Sequence, residues 1–248
     1  MTVSSSTNRF EIPYKLLRGG LKANEQKYVE SGRELLNFTC KRLGLKDFGN
    51  SDILDMGCGT KFTQAFLDYK LPLQRYTGID VYQEMIEFLQ QHVNDARFEY
   101  HHMNTHNEMY NVDGLPLTAA TELPLQGREF DVICLFSVFT HLAPHDYVNM
   151  LKVIRPHMRD SGQLIFSLYI DEPSGTGYGL VEDIASEQEG SWKPSGLPFR
   201  DAYPGKPLQW ALYSREHAIE LIDGTGWQVD KLYMPEQYIQ HHFVCTPA

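Results

Sequence analysis

Short apolar segments alternate with amphipathic segments along most of this 248-residue chain, and this order constrains the fold more than any other feature. Five short segments are predicted as strands, of which the first and fourth are the apolar ones: 52–56, 75–81, 97–101, 130–136 and 163–170. Four segments with apolar residues at helical spacing are predicted as helices: 25–44, 61–69, 83–93 and 146–158. Strand–helix alternation of this kind is typical of an α/β protein with a doubly wound parallel sheet and right-handed crossovers.

The C-terminal part departs from the parallel pattern. A predicted helix at 214–225, capped by Ser214, precedes two predicted strands at 227–234 and 238–246. Only three residues join these strands, which is too short for a parallel crossover. The last strand is therefore predicted to run antiparallel, and the sheet to have seven strands.

Two further segments fit no strand or helix period. Residues 171–212 are rich in glycine and proline and are predicted to form a long, lid-like cap loop. Residues 1–24 are predicted as an N-terminal tail, with 12–20 as another part of the lid. The aromatic residues of the cap either close over a ligand or fold the loop onto the sheet: Tyr169, Tyr178, Trp192, Phe199, Tyr203 and Trp210. We expect a single domain over residues 1–248, since α/β domains of this length are common.

Composition and charge exclude several classes of partner and location. No apolar run approaches the roughly 20 residues that span a bilayer, and the N-terminus lacks the apolar stretch of a secretory signal. The net charge is -10 and the 22 basic residues form no dense run, so nucleic acid is not the expected substrate. The four cysteines form no closely spaced pair, which favours a reducing, cytoplasmic location and no metal site.

A glycine-rich turn follows the first predicted parallel strand, in the sequence Leu54-Asp55-Met56-Gly57-Cys58-Gly59-Thr60. Glycines at such a turn let the backbone approach a ligand at the carboxyl edge of the sheet. Phe62 stands where the dinucleotide fingerprint has its third glycine, and no phosphate-binding Gly-Lys-Ser/Thr is present. Asp80 ends the second strand, where a carboxylate can accept hydrogen bonds from ribose hydroxyls. The pattern favours an adenosyl ligand over a pyrophosphate.

From about residue 30 to the end, the chain resembles the class I S-adenosylmethionine-dependent methyltransferases. The resemblance rests on the glycine turn, on 76–80, on Phe130-Asp131-Val132-Ile133 and on the antiparallel last strand, and more narrowly on 110–114 with 137–142. It implies a Rossmann-like sheet and S-adenosyl-L-methionine as cofactor, with Asp55 and Gly57 under its methionine end. The cofactor-binding residues that it implies are Asp55, Gly57, Cys58, Gly59, Asp80, Val81, Asn104 and Phe136.

The chain departs from this family at two positions. Lys61 stands where members often have a third glycine, and Asn104 where an acid often faces the adenine amine; an asparagine carbonyl can also accept from an amine. Asp55 and Asp80 have alternative interpretations as caps of a turn and of a helix. Cys58 is interpreted as a small space filler and not as a nucleophile.

In this fold the residues after the fourth strand border the methyl group, which here are Phe136, Ser137 and His141. His141 is the candidate general base, since a histidine pKa near 6.5 suits proton transfer, and packing or capping is the alternative. His145 is the second candidate, and the acids of the cap segment could orient a hydroxyl or an amine: Asp171, Glu172 and Asp183. We expect O-methylation of a small molecule, a sugar or secondary metabolite; N-methylation and a non-catalytic adenosyl-binding module stay open.

Overall fold

A mixed sheet forms the centre of the computed structural model, which describes residues 9–18, 23–187, 193–236 and 238–248, without the side chains of 185–187. The strands in this part of the chain are β1 (Phe48–Met56), β2 (Leu73–Asp80), β3 (Phe98–His102), β4 (Phe130–Leu135), β5 (Met158–Ile170), β6 (Phe199–Asp201), β7 (Ala211–Tyr213), β8 (Trp227–Tyr233) and β9 (His241–Pro247). The helices are α1 (Glu25–Leu43), α2 (Lys61–Tyr69), α3 (Gln83–His92), α4 (Pro144–Ile154), α5 (Leu180–Glu187) and α6 (Arg215–Glu220).

The predicted seven-stranded core is confirmed. Strands β3, β2, β1, β4 and β5 lie side by side in that order and are all parallel. Strand β9 pairs antiparallel with β5, and β8 pairs antiparallel with β9. The short connection between β8 and β9 therefore joins antiparallel strands, as its length predicts.

Both faces of the sheet are covered by apolar layers. Neighbouring residues of a strand point to opposite faces, so Leu54, Ile133 and Leu164 pack into one layer. Their neighbours Ile53 and Val132 pack into the other layer. Burial on both sides explains why the central strands read as continuous apolar runs. Because β1 to β5 are parallel, their carboxyl ends and the following turns meet at one edge of the sheet, where polar groups are exposed to a ligand.

The cap segment 171–212 contains more regular structure than its composition indicates. It includes α5, β6 and β7, and β7 pairs parallel with the end of β5 while β6 pairs antiparallel with β7. Tyr169, Leu180 and Leu212 form a small apolar cluster under it, with Trp210 packed against them. These contacts join the cap to the sheet. Trp192 lies outside the described residues.

The N-terminal residues 9–18 lie against the helices that flank the site. The backbone N–H of Phe10 donates to Asp68 at 2.9 Å, and the amide of Gln64 donates to the Phe10 carbonyl at 3.0 Å. Leu16 and Leu17 are buried. This segment therefore leads Arg18 to the edge of the site; residues 1–8 and 19–22 of the predicted tail lie outside the described residues.

None of the helices in the described ranges combines the length and the apolar composition that crossing a bilayer requires.

Candidate active site

The turn between β1 and α2 is tied to the end of β2. The backbone N–H groups of Gly57 and Cys58 both donate to the carbonyl of Ile79, at 2.7 and 3.1 Å. Gly59 donates its N–H to Asp80 Oδ2 at 3.0 Å. The turn therefore brings backbone and carboxylate together at the carboxyl edge of the sheet.

Gly57 cannot be replaced without strain, for two separate reasons. Its φ of +69° lies in the left-handed region, which costs an L-residue about 1–2 kcal/mol. A Cβ atom at this position would also lie 2.5 Å from Cγ2 of Val138. Val138, in the segment after β4, therefore lies close to the glycine turn that follows β1.

We expect Gly57→Ala to destabilise the protein by about 1–3 kcal/mol and to weaken cofactor binding, because the turn must shift. Urea unfolding and calorimetry with S-adenosylhomocysteine measure the two effects. Gly127→Ala is the matched control, since its φ of +74° is similar and a Cβ there would meet nothing within 4 Å. Adding Val138→Ala to Gly57→Ala should restore only the steric part of the loss. Equal losses in the Gly57 and Gly127 variants would contradict the close approach.

Asp80 ends β2 with its carboxylate half-buried and oriented by backbone groups. Oδ2 accepts from Gly59, and Oδ1 accepts from the N–H of Tyr82 at 3.0 Å. Burial raises the pKa of Asp80 above its ordinary value, although these two N–H groups oppose the shift. A carboxylate has about four acceptor positions, so each oxygen can still accept from a ligand hydroxyl.

Asp55 lies deeper, at 3% exposure, near the carboxyl end of β1. Its Oδ2 accepts a hydrogen bond from the hydroxyl of Tyr76 at 2.6 Å. Burial raises the pKa of Asp55 from 3.8 to about 7, and the tyrosine bond only partly offsets this. Near neutral pH the charge of this carboxyl is therefore sensitive to any cation that enters beside it.

One cavity of about 990 Å³ opens at this edge of the sheet. It brings together nine of the ten residues that the sequence singles out: Asp55, Gly57, Cys58, Gly59, Asp80, Val81, Phe136, His141 and His145. These residues lie at the ends of β1, β2 and β4 or in the segments that follow these strands. The strand–helix order predicted from the sequence therefore places them at one edge of the sheet. That they contact the cofactor remains a prediction.

Asn104 is not in the cavity wall, and its predicted contact with the adenine amine stays a prediction. Asn104 is exposed, and its Oδ1 accepts from the side-chain amide of Asn111 at 3.1 Å. The next residue, Thr105, lines the cavity instead. Asn104 holds the loop after β3, because its carbonyl also accepts from the N–H of Leu115 at 3.0 Å.

The lining residues that the sequence analysis did not single out include Arg18, Tyr28, Thr105 and Gln209. Tyr28 belongs to the buried stripe of α1 and bonds Thr60 Oγ1 at 3.0 Å, so its helical spacing indicated burial but not a cavity. The guanidinium of Arg18 lies 4.3 Å from the ring centroid of Tyr82. No local sequence pattern marks such a long-range placement.

His141 ends a short 3₁₀ helix after β4 and bonds the cap. Its Nδ1 lies 3.3 Å from the carbonyl oxygen of Leu208. A carbonyl oxygen only accepts, so Nδ1 carries the proton and donates, and Nε2 keeps its lone pair. Burial lowers the pKa of His141 below 6.5, so the ring is neutral near pH 7. The residue therefore has the tautomer and the charge that a base requires.

The other polar candidates are less suited to contact the acceptor. The side chain of His145 is 79% exposed and lies 3.4 Å from Asp146, although it borders the cavity. Asp171 accepts from Arg200 at 2.7 Å and from Ser195, and Glu172 pairs with Arg215. Those ion pairs hold the cap segment together. None of the three cap acids Asp171, Glu172 and Asp183 is in the cavity wall.

The fold and the cavity can be compared with a known class. The sheet order, the glycine turn and the carboxylate of Asp80 at the end of β2 resemble those of the class I S-adenosylmethionine-dependent methyltransferases. The residues present also fit that cofactor: left-handed glycines allow close backbone approach, and two carboxylates face one cavity that is large enough for a nucleoside. The fold and the cavity lining are therefore similar to those of this class.

Comparison with known proteins finds the same similarity. Residues 54–166 match the family described as the methyltransferase domain. Malonyl-[acyl-carrier protein] O-methyltransferase of Acetivibrio thermocellus is 31% identical over 77 residues. That alignment covers 31% of this chain and 27% of the relative, so the chain matches about a quarter of the relative's length.

Solved structures show the same fold at low identity. Magnesium protoporphyrin IX methyltransferase from Synechocystis PCC 6803, with bound S-adenosylhomocysteine, has a TM-score of 0.57 at 14% identity, covering 94% of this chain and 92% of its own. Mitomycin 7-O-methyltransferase has a TM-score of 0.56 at 16% identity, covering 92% of this chain and 56% of its own. The N1-methyltransferase of 1,6-didemethyltoxoflavin from Burkholderia thailandensis has 0.53 at 14%, covering 89% and 78%.

We expect Asp80→Ala to weaken the binding of S-adenosylhomocysteine by about 1.5–3 kcal/mol, as when a charged hydrogen-bond acceptor is removed. Calorimetry measures the loss. Asp113→Ala is the control, because Asp113 is an exposed acid outside the cavity wall. Unchanged affinity in a folded Asp80 variant would show that this carboxylate only orders the turn.

Proposed function

We propose that this protein transfers a methyl group from S-adenosylmethionine to a hydroxyl group of a small molecule. The observation that carries the proposal is the position of His141, a half-buried imidazole in the same cavity as Asp55 and Asp80, with its Nδ1 3.3 Å from the carbonyl oxygen of Leu208. A hydroxyl acceptor must lose its proton as it reacts, and a positioned base supplies that step. An amine acceptor has no such need.

In this proposal some residues of the cavity bind the cofactor and others act on the acceptor. Asp80 and the glycine turn hold the adenosyl part, and Asp55 favours a cationic ligand. The bound cofactor supplies an electrophilic methyl group. His141 accepts the acceptor proton at Nε2, while its Nδ1–H bond to Leu208 fixes the ring. Alignment of the acceptor with the methyl group contributes much of the rate in such displacements.

The cap supports a small acceptor over a macromolecular one. Gln209 and Trp210 of the cap segment form part of the cavity wall. The cap therefore covers part of the space in which the acceptor would bind. Exclusion of water there strengthens electrostatic interactions at the reacting groups. The methyltransferases of mitomycin and of didemethyltoxoflavin have the same fold and, by their names, act on small molecules.

The test is incubation with methyl-labelled S-adenosylmethionine and pooled small-molecule extracts, followed by mass spectrometry and NMR of labelled products. The expected result is a labelled methoxy group. The Asp80→Ala variant should form it more slowly at limiting cofactor. Exclusively N-methylated products would replace the proposal by amine methylation. Tight cofactor binding without any methylated product would favour the non-catalytic adenosyl-binding module.

A further inference from the structure

The three aromatic side chains of Phe136, Tyr169 and Trp210 line the same cavity as His141. We call the part of the cavity that is lined by Phe136, Ser137, His141, Tyr169 and Trp210 the acceptor end. The Trp210 ring centroid lies 6.3 Å from that of Tyr169, and the two planes are tilted by 59°. Three of the five residues therefore offer a ring to a ligand.

Trp210 is held in place by its own neighbours. Its ring centroid lies 5.0 Å from that of Tyr203, on the same cap segment. Two residues earlier, the N–H of Leu208 donates to Glu108 Oε2 at 2.9 Å, while the Leu208 carbonyl accepts from His141. One residue later β7 begins and pairs with β5. The tryptophan ring and the imidazole are thus attached to the same short piece of fixed backbone.

The hydroxyl groups of Ser137 and Tyr169 at the acceptor end are already hydrogen-bonded within the protein. The amide of Gln240 donates to Ser137 Oγ at 3.0 Å and lies 3.3 Å from the hydroxyl of Tyr169. A sugar carries several hydroxyls, and each one buried without a partner costs free energy. The rings of Phe136, Tyr169 and Trp210 offer apolar faces, which match a flat aromatic ligand better than a polyhydroxylated one.

We propose that the methyl acceptor is a phenol whose aromatic ring packs against Trp210 and whose hydroxyl faces His141. This inference rests on the proposed O-methylation and narrows its substrate class. In the reaction the phenol oxygen forms a bond to the methyl carbon as the carbon–sulfur bond breaks, and that electron pair stays on sulfur. The phenol proton passes to His141 Nε2 and then to solvent, which leaves an aryl methyl ether and S-adenosylhomocysteine.

The acidity of the acceptor agrees with this geometry. Burial lowers the pKa of His141, which makes the imidazole a weaker base than usual. A phenol has a pKa of about 10, like tyrosine, whereas the pKa of water, and by chemical similarity of an aliphatic alcohol, is about 16. The weakened base therefore suits the more acidic hydroxyl.

The test compares 2-naphthol with decahydro-2-naphthol, which has the same carbon skeleton without aromatic rings. Calorimetry on the S-adenosylhomocysteine-loaded protein should show 2-naphthol binding at least about tenfold more tightly. Trp210→Leu should remove most of this preference and Trp210→Phe should keep it, because phenylalanine still offers a ring for stacking and leucine does not. Tyr178→Ala is the control, an exposed aromatic of the same segment outside the cavity wall. Retained binding of S-adenosylhomocysteine shows that each variant is folded.

Methyl transfer then separates this inference from the function on which it rests. We expect methylation of 2-naphthol and none of decahydro-2-naphthol or methyl glucoside. Faster methylation of either saturated alcohol would overturn the phenol and leave O-methylation in place. Methylation of 6-aminoquinoline alone would overturn both. Equal binding of the two naphthol skeletons, or none at millimolar concentration, would also overturn the phenol.

Discussion

Replacing His141 by asparagine should lower turnover by about 10²–10⁴-fold, the usual contribution of a general base, with little change in the affinity for S-adenosylhomocysteine. Asparagine is the informative choice because its side-chain amide can still donate to the carbonyl of Leu208, as Nδ1 does now at 3.3 Å. The variant therefore keeps the link to the cap and loses the proton acceptor. His141→Ala removes both functions.

The pH dependence gives a second readout. A base must be unprotonated, so the rate of the parent enzyme should fall as the pH drops through the pKa of His141, which burial places below 6.5. The asparagine variant should lack this acidic limb. His145→Asn is the matched control, since this histidine borders the cavity with a largely exposed side chain. If His141→Asn keeps more than a tenth of the activity while His141→Ala loses it, the histidine is only a link to the cap.

The central fold was predictable because its signals are local and repeated. The central strands β1, β4 and β5 contain the apolar runs that burial on both faces requires, and the helices that follow the parallel strands have their own apolar stripes. The glycine turn and Asp80 follow strand ends, and the topology alone brings such positions together. This is why most of the predicted site residues share one cavity.

The cap and the loop after β3 were less predictable because long-range contacts determine their structure. Strands β6 and β7 have only three residues each, so neither shows a period; β7 pairs with the end of β5, and β6 pairs with β7. Asn104 follows β3 as predicted, but its side chain accepts a hydrogen bond from the Asn111 amide within the loop. The bond between His141 and Leu208 joins residues 67 positions apart, which no local pattern encodes.

Asp55→Asn should make the free protein more stable than the parent at pH 8, and this gain should shrink as the pH is lowered to 5. The fold raises the pKa of Asp55 from 3.8 to about 7. Between these values the folded state keeps a proton that the unfolded chain has lost, so this carboxyl's contribution to stability declines as the pH rises through 7. Asparagine does not titrate and can still accept from Tyr76.

The expected difference in unfolding free energy between pH 5 and pH 8 is about 2–4 kcal/mol, from about 1.4 kcal/mol for each pH unit in this window. Urea unfolding of both proteins at the two pH values measures it. Buried His241 and His242, with pKa values lowered to about 4 and 3, add a pH dependence that both proteins share. Asp113→Asn, at an exposed acid, controls for the loss of one charge. Parallel pH profiles for parent and Asp55→Asn would contradict the raised pKa.

Because ionised Asp55 lowers the stability of the free protein at neutral pH, we expect this carboxyl group to serve ligand binding. A cationic ligand would stabilise its ionised form. S-adenosylmethionine carries a sulfonium charge that S-adenosylhomocysteine lacks, and a positive charge beside Asp55 favours its ionised form. Binding should therefore release a proton from Asp55, and the preference for S-adenosylmethionine should increase as the pH rises from 6 to 8. In Asp55→Asn this preference should be smaller and independent of pH. If both ligands lose affinity equally in the variant, Asp55 supports the turn and does not sense the methyl-bearing charge.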